Sequence, residues 1–354
     1  MTKINYILDW KFNANSGVAK KVLEQVEFWR SNGLNVDLIV ITKHHNLKSW
    51  QEIETKIEVL SYQASLVRAL IRDFIYLRTK KRNHLIYARF GFFTPIQIYS
   101  LLRSNYVLEL NTLDKFEVKH RNIFLQIYRK LFDKIVLKKA IYIFTVTEEI
   151  KLDIARRFQI NNVSCVPNSI KFDKEEIEVS RNSRKSIVFV GSPDLPWHGV
   201  DKILKIAAKM KDVEFNIVGP KRRYATGENV KFFQDVYGEE LKEILKNSTA
   251  AISSLSLEVN KMTEACPLKS REYLKLGLPV ISSYKDTAFP NGEDFLLQLD
   301  FGKGFDPNEA AYKINDFLEF WKNRRVDISR LGSIDQNYVE IKRVEKLSVF
   351  FQRN

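Results

Sequence analysis

The sequence predicts an α/β protein made of two doubly wound domains, and three observations carry that prediction. Short apolar runs rich in β-branched residues alternate with amphipathic segments, the pattern of βαβ units on a parallel sheet. At 354 residues the chain is long for one core and comfortable for two. Residues 171–185 are rich in charge and lack periodicity, which marks a linker between the halves. The expected domains are residues 1–175 and 176–335.

Lys3 to Leu8 reads as a first buried strand ending at Asp9. The loop from Phe12 through Ser16 and Gly17 leads into a helix over about Val18 to Asn32, closed by Gly33. Val36 to Ile41 returns as a strand, completing a βαβ unit. Ile57 to Leu60 is a short strand, Ser65 to Thr79 a basic amphipathic helix and Leu85 to Ala88 a strand. Arg89 follows in a loop with Gly91 and Pro95. Tyr106 to Leu110 is the next strand, with Glu109, Asn111 and Thr112 at its carboxyl end. Ligands of open α/β sheets collect at such strand ends, so Arg89, Glu109 and Asn111 are candidates for acceptor binding; turn formation is the bland alternative.

Ile123 to Ala140 is a long helix with two apolar rows spaced by four, Ile123/Ile127/Leu131/Ile135 and Phe124/Tyr128/Phe132/Val136. Lysines and arginines line its flanks. One reading packs the rows into the core and leaves the lysines solvated. The other turns the helix toward an anionic leaflet, where each Lys or Arg contributes about 1 kcal/mol. Ile141 to Val146 is a strand, Thr147-Glu148-Glu149 caps a helix to about Phe158, and Val163 to Val166 is a strand before Pro167-Asn168-Ser169.

The second half opens on the strand Ser186 to Val190, followed by Gly191-Ser192, then Pro196-Trp197-His198-Gly199 and a helix to about Met210. Val213 to Val218 is a strand ending in Gly219-Pro220-Lys221-Arg222-Arg223. Val230 to Phe233 is a strand with Val236 just beyond it, Glu239 to Lys246 a helix and Ala250 to Ser253 a strand. Residues 308–322 and 335–352 read as helices.

The most informative stretch runs from Glu264 to Ile281. Pro267 suits the first position of a helix, Gly277 the left-handed residue past its end, and Val280-Ile281-Ser282 resumes as a buried strand. One carboxylate, Glu264, thus precedes a short helix and another, Glu272, lies in its second turn. Between them the helix start offers free N–H groups and partial positive charge, an anion site. A ligand with a hydroxyl-rich ring, a diphosphate and a second such ring matches that spacing, and a nucleotide-sugar is such a ligand.

This string resembles the Glu-x7-Glu signature of the retaining GT-B glycosyltransferases, family 4 in particular. Pro267, Leu268 and Lys269 before Glu272 and Tyr273, with Gly277-x-Pro279-Val280-Ile281 behind, match a variant of it. Pro167-Asn168-Ser169-Ile170 is similar to the turn that precedes the interdomain linker in that family. The resemblance implies two Rossmann-like domains facing a central cleft, with the last helix, residues 336–354, crossing back to the first domain. It implies sugar transfer from a nucleoside diphosphate sugar to an acceptor hydroxyl with retention of configuration. Glu264 would serve the donor sugar, Glu272 the ribose and Val236 the nucleobase. Pro267, Leu268 and Lys269, with Lys221 or Arg222, would neutralise the diphosphate. Gly17 would let its loop approach the same phosphates. No metal or other cofactor is expected, because fixed cations and helix dipoles take that role.

Four positions depart from the family pattern. Ser16-Gly17 replaces a glycine pair, and Asn111 stands where a histidine is frequent. Ser192 and His198 occupy the places of an arginine and a lysine that contact the donor diphosphate. A charge-assisted hydrogen bond contributes roughly 1.5–3 kcal/mol, so two uncompensated losses would cost a large part of the rate. Lys221, Arg222, Arg223 and Lys269 are available replacements, and His198 can donate to phosphate, with charge as imidazolium.

The net charge is +14, with 29 Lys and Arg against 19 Asp and Glu in residues 1–178 and 28 against 24 in 179–354. A basic first half suits nucleic acid, anionic lipid or a phosphorylated substrate, and charge alone does not choose among them. The resemblance adds a saccharide or lipid-linked saccharide acceptor at an anionic inner membrane surface. No nucleic-acid motif is present, so nucleic acid is not an expected partner. Two cysteines a hundred residues apart give neither a disulfide framework nor a metal pattern, which suits the cytoplasm. The competing reading is a GT-B scaffold with impaired catalysis that binds an anionic membrane or nucleic acid; an epimerase or phosphorylase is a third.

Overall fold

The computed structural model describes residues 3–53, 56–79, 84–113, 123–172, 184–193, 195–221, 226–301 and 304–352. The chain divides into two compact units, Met1–Lys171 with Gln336–Asn354, and Phe172–Asp335.

In the first unit the elements run β1 (Lys3–Asp9), α1 (Gly17–Ser31), β2 (Val36–Lys43), α2 (Leu47–Gln51), β3 (Ile57–Tyr62), α3 (Ser65–Thr79), β4 (His84–Arg89), α4 (Pro95–Leu102), β5 (Asn105–Leu110), α5 (Ile123–Lys139), β6 (Tyr142–Thr145), α6 (Glu148–Phe158) and β7 (Val163–Cys165). The sheet order is β3-β2-β1-β4-β5-β6-β7 and every pairing is parallel. Strand order reverses between β1 and β4, so their carboxyl ends flank the crevice where such sheets bind ligands. Near-continuous apolar strands follow from burial on both faces. Two helix starts show why the chain folds locally as it does. Thr94 and Gln97 form a capping box around Pro95, and the Thr147 hydroxyl accepts from the Ile150 N–H. The sequence reading placed Pro95 in a loop; the Thr-Pro-x-Gln pattern of a capped helix start is legible there.

A charged cluster lies inside this unit. The Glu109 carboxylate accepts from Lys21 at 2.6 Å, Tyr87 at 2.8 Å and Asn111 at 3.1 Å. Glu340 accepts from Gln25 and Trp29, each at 3.0 Å, and from Arg343. Glu340 and Arg343 belong to the chain's last helix, Gln336–Gln352, which packs on α1. The final helix therefore returns to the first unit, anchored by buried ions as well as by Val339 and Leu347.

The second unit holds β8 (Ser186–Val190), α7 (Val200–Ala207), β9 (Glu214–Val218), β10 (Val230–Phe233), α8 (Gly238–Lys246), β11 (Ala250–Ile252), β12 (Glu264–Ala265), α9 (Leu268–Lys275), β13 (Val280–Ser282), β14 (Lys285–Asp286), β15 (Leu296–Gln298) and α10 (Pro307–Trp321); the last helix of the chain is α11. Its main sheet has the order β10-β9-β8-β11-β13-β15, again all parallel, and β12 pairs with β14 beside it. The reversal here falls between β8 and β11.

The core-packing reading of α5 is corrected for one of its two rows; in the other, Tyr128 and Phe132 are half-buried and Val136 is buried. Ile123, Phe124, Ile127, Leu131 and Ile135 are all exposed, and the helix packs inward through Arg129, Val136 and Leu137. Apolar spacing reports a stripe on a helix; it does not report what covers the stripe.

Candidate donor site in the second unit

The site is built where β8 and β9 end. Gly191 follows β8 and Gly219 follows β9. Gly219 adopts φ +99°, and a Cβ there would lie 2.1 Å from the Gly191 carbonyl oxygen. A Cβ on Gly191 would lie 2.7 Å from the ring of His198. Only glycines allow these two backbones to meet under an imidazole. Gly199, at φ +70°, then turns the chain into α7.

His198 is 5% exposed, its ring 5.3 Å from that of Phe189, and its Nδ1 has no hydrogen-bond partner among the described residues. Burial first and the Lys269 charge second push its pKa down to about 3, against a backbone hydrogen bond at Ser192 that opposes them. Of the two ways in which His198 could donate to a phosphate, the neutral one fits: a desolvated ring beside a lysine stays neutral at ordinary pH. Ser192, after Gly191, is exposed.

Lys269 lies in the first turn of α9. Its Nζ stands 4.4 Å from the centre of the Phe189 ring and donates to the Ser253 carbonyl at 3.4 Å. Burial lowers its pKa to about 7, and it makes no ion pair among the described residues. A lysine desolvated without a counter-charge gains most from an incoming anion. Pro267 is the N-cap of α9 and Leu268 its first residue, one place later than read from the sequence; no side chain caps this start. The free N–H groups at the helix start, Lys269 and His198 together suit a phosphate.

The two acids precede and follow that helix start along the chain. Glu264 is half-buried in β12. Glu272 is half-buried in α9, and its carboxylate has no hydrogen-bond or ion-pair partner among the described residues. Side chains that the sequence reading missed brace the helix. Tyr273 OH accepts from the Val190 N–H at 2.9 Å, tying α9 to the end of β8. Ser270 Oγ donates to Ser253 Oγ at 2.9 Å. Arg271, fully buried, grips both Asp286 oxygens at 2.7 Å and donates to Cys266 Sγ at 2.8 Å. Nothing in the sequence around Arg271 marks this clamp, because Asp286 lies beyond the helix and the next strand.

Lys221 is exposed just past Gly219 and Pro220. Arg222 and Arg223 lie outside the described residues. Val236 is buried, 7% exposed, beyond β10. Gly17 belongs to the other unit, where it is the first residue of α1. Arg89 ends β4 with its guanidinium 5.9 Å from the Trp10 ring, and Asn111 donates to Glu109. Glu109 has no exposed surface, so it is a structural ion and not an acceptor contact. Burial alone would raise its pKa, but Lys21, then Arg343 and Arg89, hold it well below the usual carboxylate range. Asp9, clamped by Arg68 and Arg72 at 2.8 and 3.0 Å, was also missed at the same sheet edge. Among the described residues no group of three or more His, Cys, Asp or Glu could hold a metal ion, and no helix is long and apolar enough to cross a membrane.

Residues 184–319 match the family described as Glycosyl transferases group 1. No curated protein sequence matches the chain significantly. Among solved structures, the lipopolysaccharide outer core galactosyltransferase WaaB in its apo form is 14% identical, with TM-score 0.66 over 99% of each chain. Anabaena Alr3699/HepE in complex with UDP-glucose is 12% identical, with TM-score 0.70 over 99% of this chain and 100% of that one. TarM is 10% identical, with TM-score 0.71 over 99% of each chain. At such identities the likeness establishes the fold, which is GT-B.

Proposed function

We propose that the protein is a nucleotide-sugar glycosyltransferase, acting with retention on a saccharide or lipid-linked saccharide acceptor in cell-surface polysaccharide synthesis. The observation that carries the reading is the pairing of an uncapped α9 start with Lys269 and His198, with Glu264 and Glu272 on either side. A diphosphate would take the helix start and Lys269; Glu264 would face the transferred sugar, and Glu272 the ribose. The family match over this unit, and a UDP-glucose complex of a structural neighbour, support the same reading. Lys269 would replace by charge what Ser192 and His198 lack, and His198 would offer a neutral hydrogen bond. Stabilising the leaving diphosphate in this way requires no metal.

A cytoplasmic enzyme held at an anionic membrane surface fits the first unit. α4 packs between α3 and α5, and the three helices expose Leu70, Phe74, Tyr99, Ile127 and Leu131. Arg78, Lys138 and Lys139 lie on the same helices, the mixture that binds an anionic interface. Thermal shifts with UDP, GDP, ADP and CDP test the donor reading, because a ligand of the folded state raises its stability. A shift with one of them, followed by transfer with retained anomeric configuration in a chelator, is the expected result. Inversion, or transfer that requires magnesium, would remove the corresponding part. No shift with any of the four would remove the whole.

A further inference from the structure

A cavity of about 610 Å³ opens between α5 and α6 in the first unit, at the carboxyl ends of β4 and β5. Its size is within the usual range for a small-molecule site, about 300–1,000 Å³. Phe90, Leu110, Leu113, Ile127, Leu137 and Phe158 form apolar walls. Four of the charges at its edge neutralise one another in two pairs: Arg129 with Asp133 at 2.9 Å and Arg157 with Asp153 at 2.8 Å. Lys130 and Lys134, one turn apart on α5, also line it, are exposed, and have no ion-pair partner among the described residues. An apolar hollow with two unspent cations at its rim complements an amphiphile that has one chain and an anionic head.

Its position narrows the occupant. Phe90 directly follows Arg89, and Leu110 directly precedes Asn111, so the cavity wall is continuous in sequence with the two candidate acceptor residues that remain accessible. We propose that this cavity holds the alkyl or isoprenyl chain of a lipid-linked acceptor, with the phosphate that joins lipid to sugar at Lys130 and Lys134. The sugar then lies past Phe90, toward Arg89 and Asn111. This deepens the transferase reading and rests on it for the word acceptor; the binding of the amphiphile stands independently.

Calorimetry and native mass spectrometry with dodecyl phosphate, below its micellar concentration, test it on the full chain. One molecule is expected to bind, with affinity falling roughly threefold to fourfold for each methylene removed in a dodecyl, decyl, octyl series. Dodecyl maltoside is expected to bind at least tenfold more weakly, since it lacks the anion. Ile127→Glu, at a half-exposed site that leaves the fold intact, is expected to abolish binding. Lys130→Glu with Lys134→Glu is expected to weaken the phosphate at least tenfold and leave the maltoside unchanged. Leu70→Glu on α3, outside the cavity, should reduce attachment to anionic vesicles while keeping dodecyl phosphate bound. Equal binding of phosphate and maltoside, or no dependence on chain length, would overturn the site. Equal affinity for dihexanoyl phosphatidylglycerol would assign it to bulk phospholipid and overturn the acceptor occupant. Amphiphile binding in a protein that shows no thermal shift with any nucleoside diphosphate would keep the site and discard the transferase reading.

Discussion

The Lys269 ammonium sits 4.4 Å above the Phe189 ring with no carboxylate paired to it among the described residues. The aromatic face and the Ser253 carbonyl are what hold it. A cation kept in this way is destabilised in the empty protein and answers to an anion. Removing it separates function from stability. Lys269→Met is expected to lower kcat/KM for the donor about 10²-fold or more, the loss of a charge at a developing negative centre. The same variant should be more stable than wild type at pH 7, by about 1 kcal/mol and a few degrees in Tm. Parallel kinetics and calorimetry check both halves; a variant that is slower and also less stable would mean that Lys269 is structurally required.

The same lysine sets a pH dependence. Its folded pKa, about 7, lies below the ordinary lysine value of 10.5 because burial disfavours the charge. As pH rises through 7 the free protein loses this charge, so affinity for a nucleoside diphosphate should fall from pH 6 to pH 8. Between pH 7 and 10.5 the unfolded chain holds the extra proton, so stability should rise with pH relative to Lys269→Met. His198 adds no step near its ordinary pKa, because it is already neutral well below it. Titration of donor affinity and of Tm in wild type and variant measures both signs.

The two acids should divide their effects. Glu272→Ala is expected to raise the donor KM about tenfold or more with kcat nearly unchanged, as for a ribose contact made equally in ground and transition states. Glu264→Ala is expected to lower kcat about 10²-fold or more with little change in KM. Steady-state kinetics with each variant would exchange these assignments if the pattern came out reversed.

The glycine pair supports the site mechanically. Gly219→Ala places a methyl 2.1 Å from the Gly191 oxygen, a contact that backbone must move to relieve. It should destabilise the second unit by about 3 kcal/mol or more. Gly33→Ala, also at positive φ but with nothing within 4 Å, should cost only about 1 kcal/mol. Denaturant unfolding of the two variants compares them; equal costs would show that strain at positive φ, and not the crowding at Gly191, is what matters.

Breaking the brace under α9 should be expensive. Asp286→Ala leaves the fully buried Arg271 without its bidentate partner, at a cost of about 3–5 kcal/mol. Calorimetry of the variant measures it, and a loss below about 1 kcal/mol would show that water reaches the guanidinium.

Much of this architecture was legible in order along the chain. The β-branched runs located both parallel sheets, and Gly33 and Gly277 marked helix ends at φ +85° and +67°. Glu264, Lys269 and Glu272 were readable because a helix start fixes their spacing locally. What was not legible depends on partners far apart in sequence. Arg271 reads as a solvated helix residue until Asp286 arrives, and Glu109 reads as a strand-end ligand until Lys21 and Arg343 enclose it. The sequence leaves the charge of His198 open, and burial beside Lys269 keeps it neutral. Which of the two α5 rows faces inward was not legible for the same reason: Ile123, Ile127, Leu131 and Ile135 are exposed while Val136 is buried, and periodicity carries no information about neighbours.

The account stands on a diphosphate bound at the start of α9 by Lys269. Isothermal titration of wild type and Lys269→Gln with the best-binding nucleoside diphosphate, at pH 6.5, tests that most directly. The prediction is saturable binding to wild type and at least tenfold weaker binding to a variant with the same melting profile or a more stable one. Equal affinity in the two proteins would place the diphosphate elsewhere and contradict the account.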